Sequence, residues 1–297
     1  MELYSRAFSP SSLHIPKPSS VCGTEKRFRV WCLNNGSNKK NASDQSEKEN
    51  QMIIAITGAT GFIGRRLVQR LYADKHCVRV LTRSRYNAQL IFPAKDFPGI
   101  VIAEEPEWKD CIHGSDAVVN LAGVPISTRW SSEIKKEIKE SRIRVTSKVV
   151  GLINGAQDEL RPTVMVSATA VGYYAKMIPL FMMFAGGPLG TGRQWFSWIH
   201  LDDIVNLIYE ALSNSSYQGV INGTAPNPVR LAEMCNHLGN VLGRPSWLPV
   251  PDFAIKAVLG EGASVVLEGQ RVVPARAKEL GFLFKYPYVK DALEAIL

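Results

Sequence analysis

The sequence predicts an α/β protein built on a doubly wound parallel sheet, followed by a small α-rich C-terminal domain. Three observations carry this expectation. The apolar run Met52 to Ile56 leads into a turn with glycines at 58, 61 and 64, and then into a helical pattern with Ile63, Leu67, Val68 and Leu71 on one face. Short β-type runs then alternate with helical patterns up to about residue 174, as crossover connections between parallel strands require. After a turn at Asn222 to Pro228, a helical pattern over Leu231 to Leu242 opens the α-rich end.

The first strand, turn and helix form a fingerprint for dinucleotide binding of the Rossmann type. Gly58 permits a tight turn, Gly61 lets backbone approach a pyrophosphate, and Gly64 lets helix and strand pack closely. The helix N-terminus offers free N–H groups and a positive dipole end to phosphates. Gly58, Thr60, Gly61, Phe62, Ile63 and Gly64 are therefore the candidate cofactor residues at the turn. The competing reading is a glycine turn with a structural role alone.

The second strand is Cys77 to Leu81. A site that prefers NAD places an acidic residue near its end to hold the ribose hydroxyls. Here the chain reads Thr82-Arg83-Ser84-Arg85, without an acid. A guanidinium matches a 2′-phosphate in charge and in bidentate geometry, so NADP(H) is the expected cofactor. Arg65 and Arg66 are expected to add positive potential, the alternative being a solvated arginine loop.

Asp116 to Gly123 reads as a strand ending in small residues, and Ser131 to Gly151 as a charged helix with Ile134, Ile138, Val145 and Val149 on one face. A further strand, Thr163 to Val166, leads into Ser167-Ala168-Thr169-Ala170-Val171-Gly172-Tyr173-Tyr174. Met177 to Leu189 carries no charge and is too short to span a bilayer, so a buried or interfacial helix is expected there. Phe196 to Leu201 reads as a strand, with Asp202 or Asp203 capping a helix from Ile204 to Leu212. His200 is placed where a general base could act, but a structural role fits it better.

Composition narrows the function classes. Residues 1–50 hold nine Ser and eight Lys and Arg against five Asp and Glu, without hydrophobic periodicity. A serine-rich, basic and acid-poor stretch of this kind reads as an organellar transit peptide joined to a disordered linker, or else as an ordinary disordered tail. Residues 51–225 then form the cofactor-binding domain and 226–297 the small C-terminal domain. The whole chain carries +8, of which about +5 lies beyond residue 50, with no basic stripe interleaved with aromatics. Nucleic acid is not an expected partner. No uncharged apolar stretch reaches the roughly 18 residues of a transmembrane helix. The five cysteines form no C-x-x-C pair, which argues against zinc and against a disulfide framework, so no metal is expected.

The segments TGATGFIG, NLAG, SATAVGYY, GGPLGTGRQWFSWIHLDD, NGTAPNPV, LGRPSWLPVP and LEGQRVVP together resemble the extended short-chain dehydrogenase/reductases, in their atypical epimerase-family branch, over residues 52–297. The resemblance implies that Thr82 and Arg83 face the adenosine phosphate, that Leu121 and Ala122 offer backbone contacts, and that Glu137 and Arg142 lie on a helix closing over the cofactor. With the plastid-like leader it implies a chloroplast location, in the stroma or on the stromal side of the inner envelope by peripheral association. It also implies chloroplast-division proteins as partners.

The chemistry departs from the superfamily. Its usual acid/base pair is Y-x-x-x-K, a spacing that puts phenol and ammonium on one helix face. Tyr173 and Tyr174 precede Lys176 by three and two positions, so no catalytic residue is assigned. Compared with the family, Tyr174 runs directly into Ala175-Lys176-Met177, where a further crossover helix and strand are expected. A parallel crossover needs at least about a dozen residues. The sequence therefore reads as a Rossmann-like fold made incomplete by an internal deletion at 174/175, which would leave a sheet edge exposed. Thr169 or Ser167 could still present a hydroxyl. Three functions stay open: a cofactor-binding regulator of plastid division, an active NADP-dependent oxidoreductase or sugar-nucleotide epimerase-like enzyme, and a splice product whose sheet cannot close.

Overall fold

A computed structural model describes residues 51–125, 129–168, 181, 182, 184 and 186–296. The expectations on the leader, on Thr169 to Lys176 and on most of the run from Met177 lie outside these residues. Within that run, Gly186 to Pro188 has no regular structure.

The chain alternates as expected: β1 (Ile53–Thr57), α1 (Phe62–Ala73), β2 (Cys77–Leu81), α2 (Arg85–Ile91), β3 (Val101–Ala103), α3 (Trp108–Ile112), β4 (Ala117–Asn120), α4 (Ser132–Asn154) and β5 (Val164–Ser167). The strands make one parallel sheet in the order β3-β2-β1-β4-β5. β1 and β4 are central and buried on both faces, which is why they read as unbroken apolar runs. β5 is the last strand on its side among the described residues, and it is only half-buried.

Side-chain alternation sorts the core into two layers. Ile54, Ile56, Val78, Val80, Ala117 and Val119 point to one face, against Leu67, Val68 and Leu71 of α1 and Ala88 of α2. Val205, Ile208 and Leu212 complete that layer from α5 (Leu201–Ser213). Ala55, Leu81, Ala103 and Val118 point to the other face, against Trp108 and Ile112 of α3 and Val149 of α4. Helices on both faces of a parallel sheet make the fold doubly wound. α1 shows the reason in miniature: Gly64, Leu67, Val68 and Leu71 are buried, while Arg65, Arg66, Gln69 and Arg70 face out.

Two expectations on the C-terminal part are corrected. The strand expected over Phe196 to Leu201 is only β6 (Trp195–Phe196), paired antiparallel with β7 (Val229–Arg230). The following helix starts at Leu201, and its N-cap is His200 rather than Asp202 or Asp203. The His200 Nδ1 accepts a hydrogen bond from the Asp202 N–H at 3.1 Å. Both aspartates are engaged elsewhere. Asp203 is fully buried and accepts from the Lys285 and Tyr286 N–H groups at 2.7 and 3.0 Å, and Asp202 pairs with Arg66.

The C-terminal helices are α6 (Leu231–Leu242), α7 (Asp252–Leu259), α8 (Ala263–Glu268), α9 (Ala275–Glu279) and α10 (Val289–Glu294). Met234, Cys235 and Leu238 of α6 pack with Val289, Ala292 and Leu293 of α10 and with Trp198 and Phe181 in a separate apolar cluster. The start of α4 is tied to this region. Trp130 donates its N–H to the Leu259 carbonyl at 3.0 Å, and Lys135 pairs with Glu261.

Candidate functional site

In the order β3-β2-β1-β4-β5 the winding reverses between β1 and β4. Ligands of open α/β sheets sit beyond the carboxyl ends of the strands at such a reversal. Thr57 and Asn120 are register partners at that point. The turn Gly58 to Gly61 leaves one of them, and Leu121 to Gly123 leaves the other.

The two segments touch. Gly58 has φ of 70°, and a Cβ there would stand 2.6 Å from the Leu121 carbonyl carbon. A Cβ on Gly64 would stand 2.3 Å from the Gly58 carbonyl oxygen. Gly58 thus serves both the turn and its contact with Leu121 and Ala122, while Gly64 lets α1 start directly behind the turn. Gly61 is the N-cap of α1. No side chain caps this end, and its first turn holds no acidic residue. Ser84 caps α2, Ser131 caps α4 and His200 caps α5, whereas α3 and α6 to α10 also lack a side-chain cap; α1 differs from these in starting at the winding reversal. The dipole and donors at the start of α1 are thus left for an anion.

Around the turn, the Thr60 carbonyl accepts from the Arg65 Nε at 2.8 Å. Phe62 is 76% exposed, whereas Ile63 packs on the core. Arg66 does not add free positive potential as expected, because it pairs with Asp202 at 2.9 Å. Thr60, Phe62, Arg65, Arg66, Gln69 and Leu201 line one open depression beside the turn.

At the end of β2 the Thr82 hydroxyl folds back on Ser84, accepting from its N–H and donating to its carbonyl, both at 3.2 Å. Arg83 is exposed and makes no ion pair among the described residues. Its neighbour Arg85 is engaged, with its N–H on Glu104 at 2.8 Å and its guanidinium on Glu107. Glu105 is held below the usual carboxylate range, first by Lys148 and more weakly by Arg144 and Arg83.

The helix expected to close over the cofactor, α4, meets the segment after β4 through Ser141 and Arg142. The Ser141 hydroxyl accepts from the Val124 N–H at 3.2 Å, and the Arg142 guanidinium lies against Gly123. Glu137 is exposed about one turn earlier on α4.

The sequence reading passes over the residue that organises the crevice. Asn120 is 2% exposed. Its Oδ1 accepts from the Thr57 hydroxyl at 2.6 Å and the Ala122 N–H at 3.4 Å. Its Nδ2 donates to Thr146 Oγ1 at 3.0 Å and Ser167 Oγ at 3.3 Å. One amide thereby joins the ends of β1, β4 and β5 to α4. The signal was present: an asparagine closing an otherwise apolar, buried strand must find partners. Ser167 is one of them, which gives its hydroxyl a structural contact. His200 is buried, packs against Tyr286 with ring centroids 3.9 Å apart and planes tilted by 46°, and has its pKa lowered by burial. A neutral helix-capping imidazole fits this setting.

Comparison with known proteins agrees with this architecture. Residues 54–183 match the NAD dependent epimerase/dehydratase family, and residues 250–296 match a domain of unknown function, DUF1731. The chain is 60% identical over 342 residues to the chloroplastic epimerase family protein SDR39U1 homolog of Arabidopsis thaliana, covering 97% of this chain and 95% of that one. It is 31% identical to the epimerase family protein YfhF of Bacillus subtilis, covering 83% and 98% of the two chains. The human epimerase family protein SDR39U1 (isoform 2), solved with NADPH, is 28% identical with a TM-score of 0.71 over 82% of this chain and 98% of that chain. The chain belongs to the NAD dependent epimerase/dehydratase family, among the epimerase family proteins related to SDR39U1.

Proposed function

We propose that this chain is a plastid protein that binds NADP(H) and acts as a regulator of chloroplast division, with little or no turnover of its own. The observation that carries the cofactor assignment is the uncapped N-terminus of α1, set behind the glycine turn at the winding reversal. Gly58, Thr60, Gly61, Phe62, Ile63 and Gly64 hold the pyrophosphate by backbone N–H groups and close approach. Arg83, with Thr82 shaping its loop, takes the 2′-phosphate. Leu121 and Ala122 offer backbone to the ribose side. Arg142 covers the crevice from α4, and Glu137 lies on the same helix. When bound, the nicotinamide supplies a hydride donor or acceptor. The NADPH in the human relative's structure supports this reading.

The regulatory part rests on different ground. The motifs resemble those of the plant giant chloroplast protein, a relative of the division inhibitor SulA. The chloroplastic relative and the leader-like composition of residues 1–50 support a plastid location. An internal deletion after Tyr174 is part of the same proposal, separate from the absent Y-x-x-x-K spacing, from which the epimerase branch itself commonly departs. Its support is the alignment itself: 97% of 297 residues is about 288, so about 54 of the 342 aligned positions have no counterpart in this chain.

Titration of the purified chain with NADPH, followed by cofactor fluorescence, tests the assignment. Saturable binding without NADPH consumption across a panel of nucleotide sugars and small carbonyl compounds is the expected result. Substrate-dependent oxidation of NADPH would instead establish the enzyme. A chain that does not unfold cooperatively even with excess NADPH would establish the unclosed sheet. A fluorescent fusion of residues 1–50 that stays outside plastids would overturn the location.

A further inference from the structure

Helix α1 carries no acidic side chain, and three of its exposed positions are arginines: Arg65, Arg66 and Arg70. Two of them reach across to α5. Arg66 pairs with Asp202 at 2.9 Å, and Arg70 donates to Asn206 Oδ1 at 3.4 Å and lies over the Tyr209 ring. Two depressions, of about 360 and 280 Å³, lie along this junction. Arg66 and Gln69 line both, so the two form one open groove. One end borders the glycine turn at Thr60, and the other lies at Ala73, away from it. Lys285 lines the second depression from the C-terminal part of the chain.

The groove holds more positive charge than the fold uses. Arg70 is matched by Asp74 at 2.7 Å. Arg66 and Lys285 share one carboxylate, that of Asp202, at 2.9 and 3.4 Å. Arg65 donates its Nε to the Thr60 carbonyl and makes no ion pair among the described residues. The arrangement also works against α1 itself. Arg66 and Arg70 are like charges at i,i+4, and Arg65 and Arg66 stand near the helix end where the dipole disfavours cations. An anionic partner would offset both penalties. Its length follows from the geometry. From Phe62 to Ala73 the helix rises about 16 Å, the span of about five residues of extended chain. A single phosphate would reach only part of this length. An extended chain with carboxylates on alternate residues reaches Arg65, Arg66 and Lys285 together, and its intervening side chains meet Leu201 and Ala73.

We propose that the groove between α1 and α5 docks an extended acidic segment of a partner protein, with its carboxylates on Arg65, Arg66 and Lys285. This goes beyond the cofactor assignment and does not depend on it, since none of the three cations is among the residues assigned to NADP(H).

Fluorescence anisotropy of a labelled short peptide of alternating glutamate and leucine, titrated with the full chain in the presence of NADPH, tests it. The peptide is expected to bind, and the same peptide with glutamine for glutamate to bind far more weakly. Gln69 lines both depressions and makes no hydrogen bond among the described residues, so its substitution leaves the fold's own contacts intact. Gln69→Glu is expected to weaken the glutamate peptide about tenfold, with melting temperature and NADPH affinity unchanged, and Gln69→Lys to tighten it. Arg65→Gln/Arg66→Gln is expected to weaken it by a similar factor. The proposal fails if the glutamate peptide does not bind the wild type, or if the Gln69→Glu and Gln69→Lys proteins bind it alike. It fails if NADPH affinity falls in parallel with peptide affinity in Gln69→Glu, which would assign the groove to the dinucleotide. It also fails if vesicles of phosphatidylglycerol bind through these residues while the peptide neither binds nor competes.

Discussion

Gly58 and Gly61 belong to one fingerprint, yet their structural settings separate what each does. Gly58→Ala puts a Cβ on a residue with φ of 70°. The left-handed conformation costs a non-glycine residue about 1–2 kcal/mol. The new Cβ would also stand 2.6 Å from the Leu121 carbonyl carbon and 2.7 Å from the Ala122 nitrogen, both backbone atoms that cannot rotate away. Forced separation of packed groups costs about 1–3 kcal/mol. The total is about 2–5 kcal/mol, which for a domain of this size lowers the melting temperature on the order of 5–15 °C. Gly61→Ala escapes the first obstacle and meets the second only in weaker form. Gly61 has φ of −77° and ψ of 175°, open to any residue, and the nearest atom to a Cβ is the Gly58 carbonyl oxygen at 3.2 Å. Its stability loss is expected below about 1 kcal/mol. Its NADPH affinity should nonetheless fall, because the new methyl stands where phosphate would approach. Thermal melts and NADPH titrations of both variants make the test. A Gly61→Ala protein that melts as low as Gly58→Ala, or a Gly58→Ala protein that melts with the wild type, would refute the reasoning.

Arg83→Gln is expected to weaken NADPH binding about tenfold, the low end for a lost charge-assisted hydrogen bond at an exposed site, and to leave NADH unchanged; equal losses for both cofactors would remove Arg83 from the 2′-phosphate. Asp203→Ala removes the acceptor of two backbone N–H groups and should cost about 1–3 kcal/mol in urea unfolding, with the segment at Lys285 and Tyr286 the first to gain hydrogen exchange. Burial lowers the pKa of both His76 and His200 in the folded chain, and each uses Nδ1 as an acceptor, His76 from the Met52 N–H and His200 from the Asp202 N–H. The unfolded chain then binds more protons as pH falls through about 6.5, so this stability is present above that pH and is lost below it. Urea midpoints at pH 7.5 and 5.5 should show the drop, and His76→Asn/His200→Asn, which keeps acceptors in place, should flatten it.

Much of the fold was legible because its signals are local. A buried parallel strand must be apolar throughout, a glycine turn must precede α1, and α4 and α6 show helical spacing within their own sequences. What was missed depended on partners far along the chain. Asp202 and Asp203 look like caps when read beside Ile204. Only the fold reveals that Arg66 claims one and that the Lys285 and Tyr286 N–H groups claim the other, leaving His200 to cap the helix. Asn120 looks like the end of a strand until Thr57, Thr146 and Ser167 converge on it. Arg230 and Arg271 are far apart in sequence and meet at the Trp195 ring.

The same distinction bears on binding without turnover. Every residue assigned to the cofactor lies between Gly58 and Arg142, and the contacts that set the crevice come from β1, β4 and α4. β5 contributes one hydroxyl, Ser167, to the Asn120 amide. The crevice therefore needs β5 only as a neighbour for β4. Asn120 is joined to Thr57 at 2.6 Å and to Thr146 at 3.0 Å, which ties the ends of β1 and β4 to α4 through residues that precede β5. On the proposed reading, the residues that hold the cofactor all precede Ala168, so NADPH affinity is expected to be insensitive to substitutions beyond it, which titration of such variants would check.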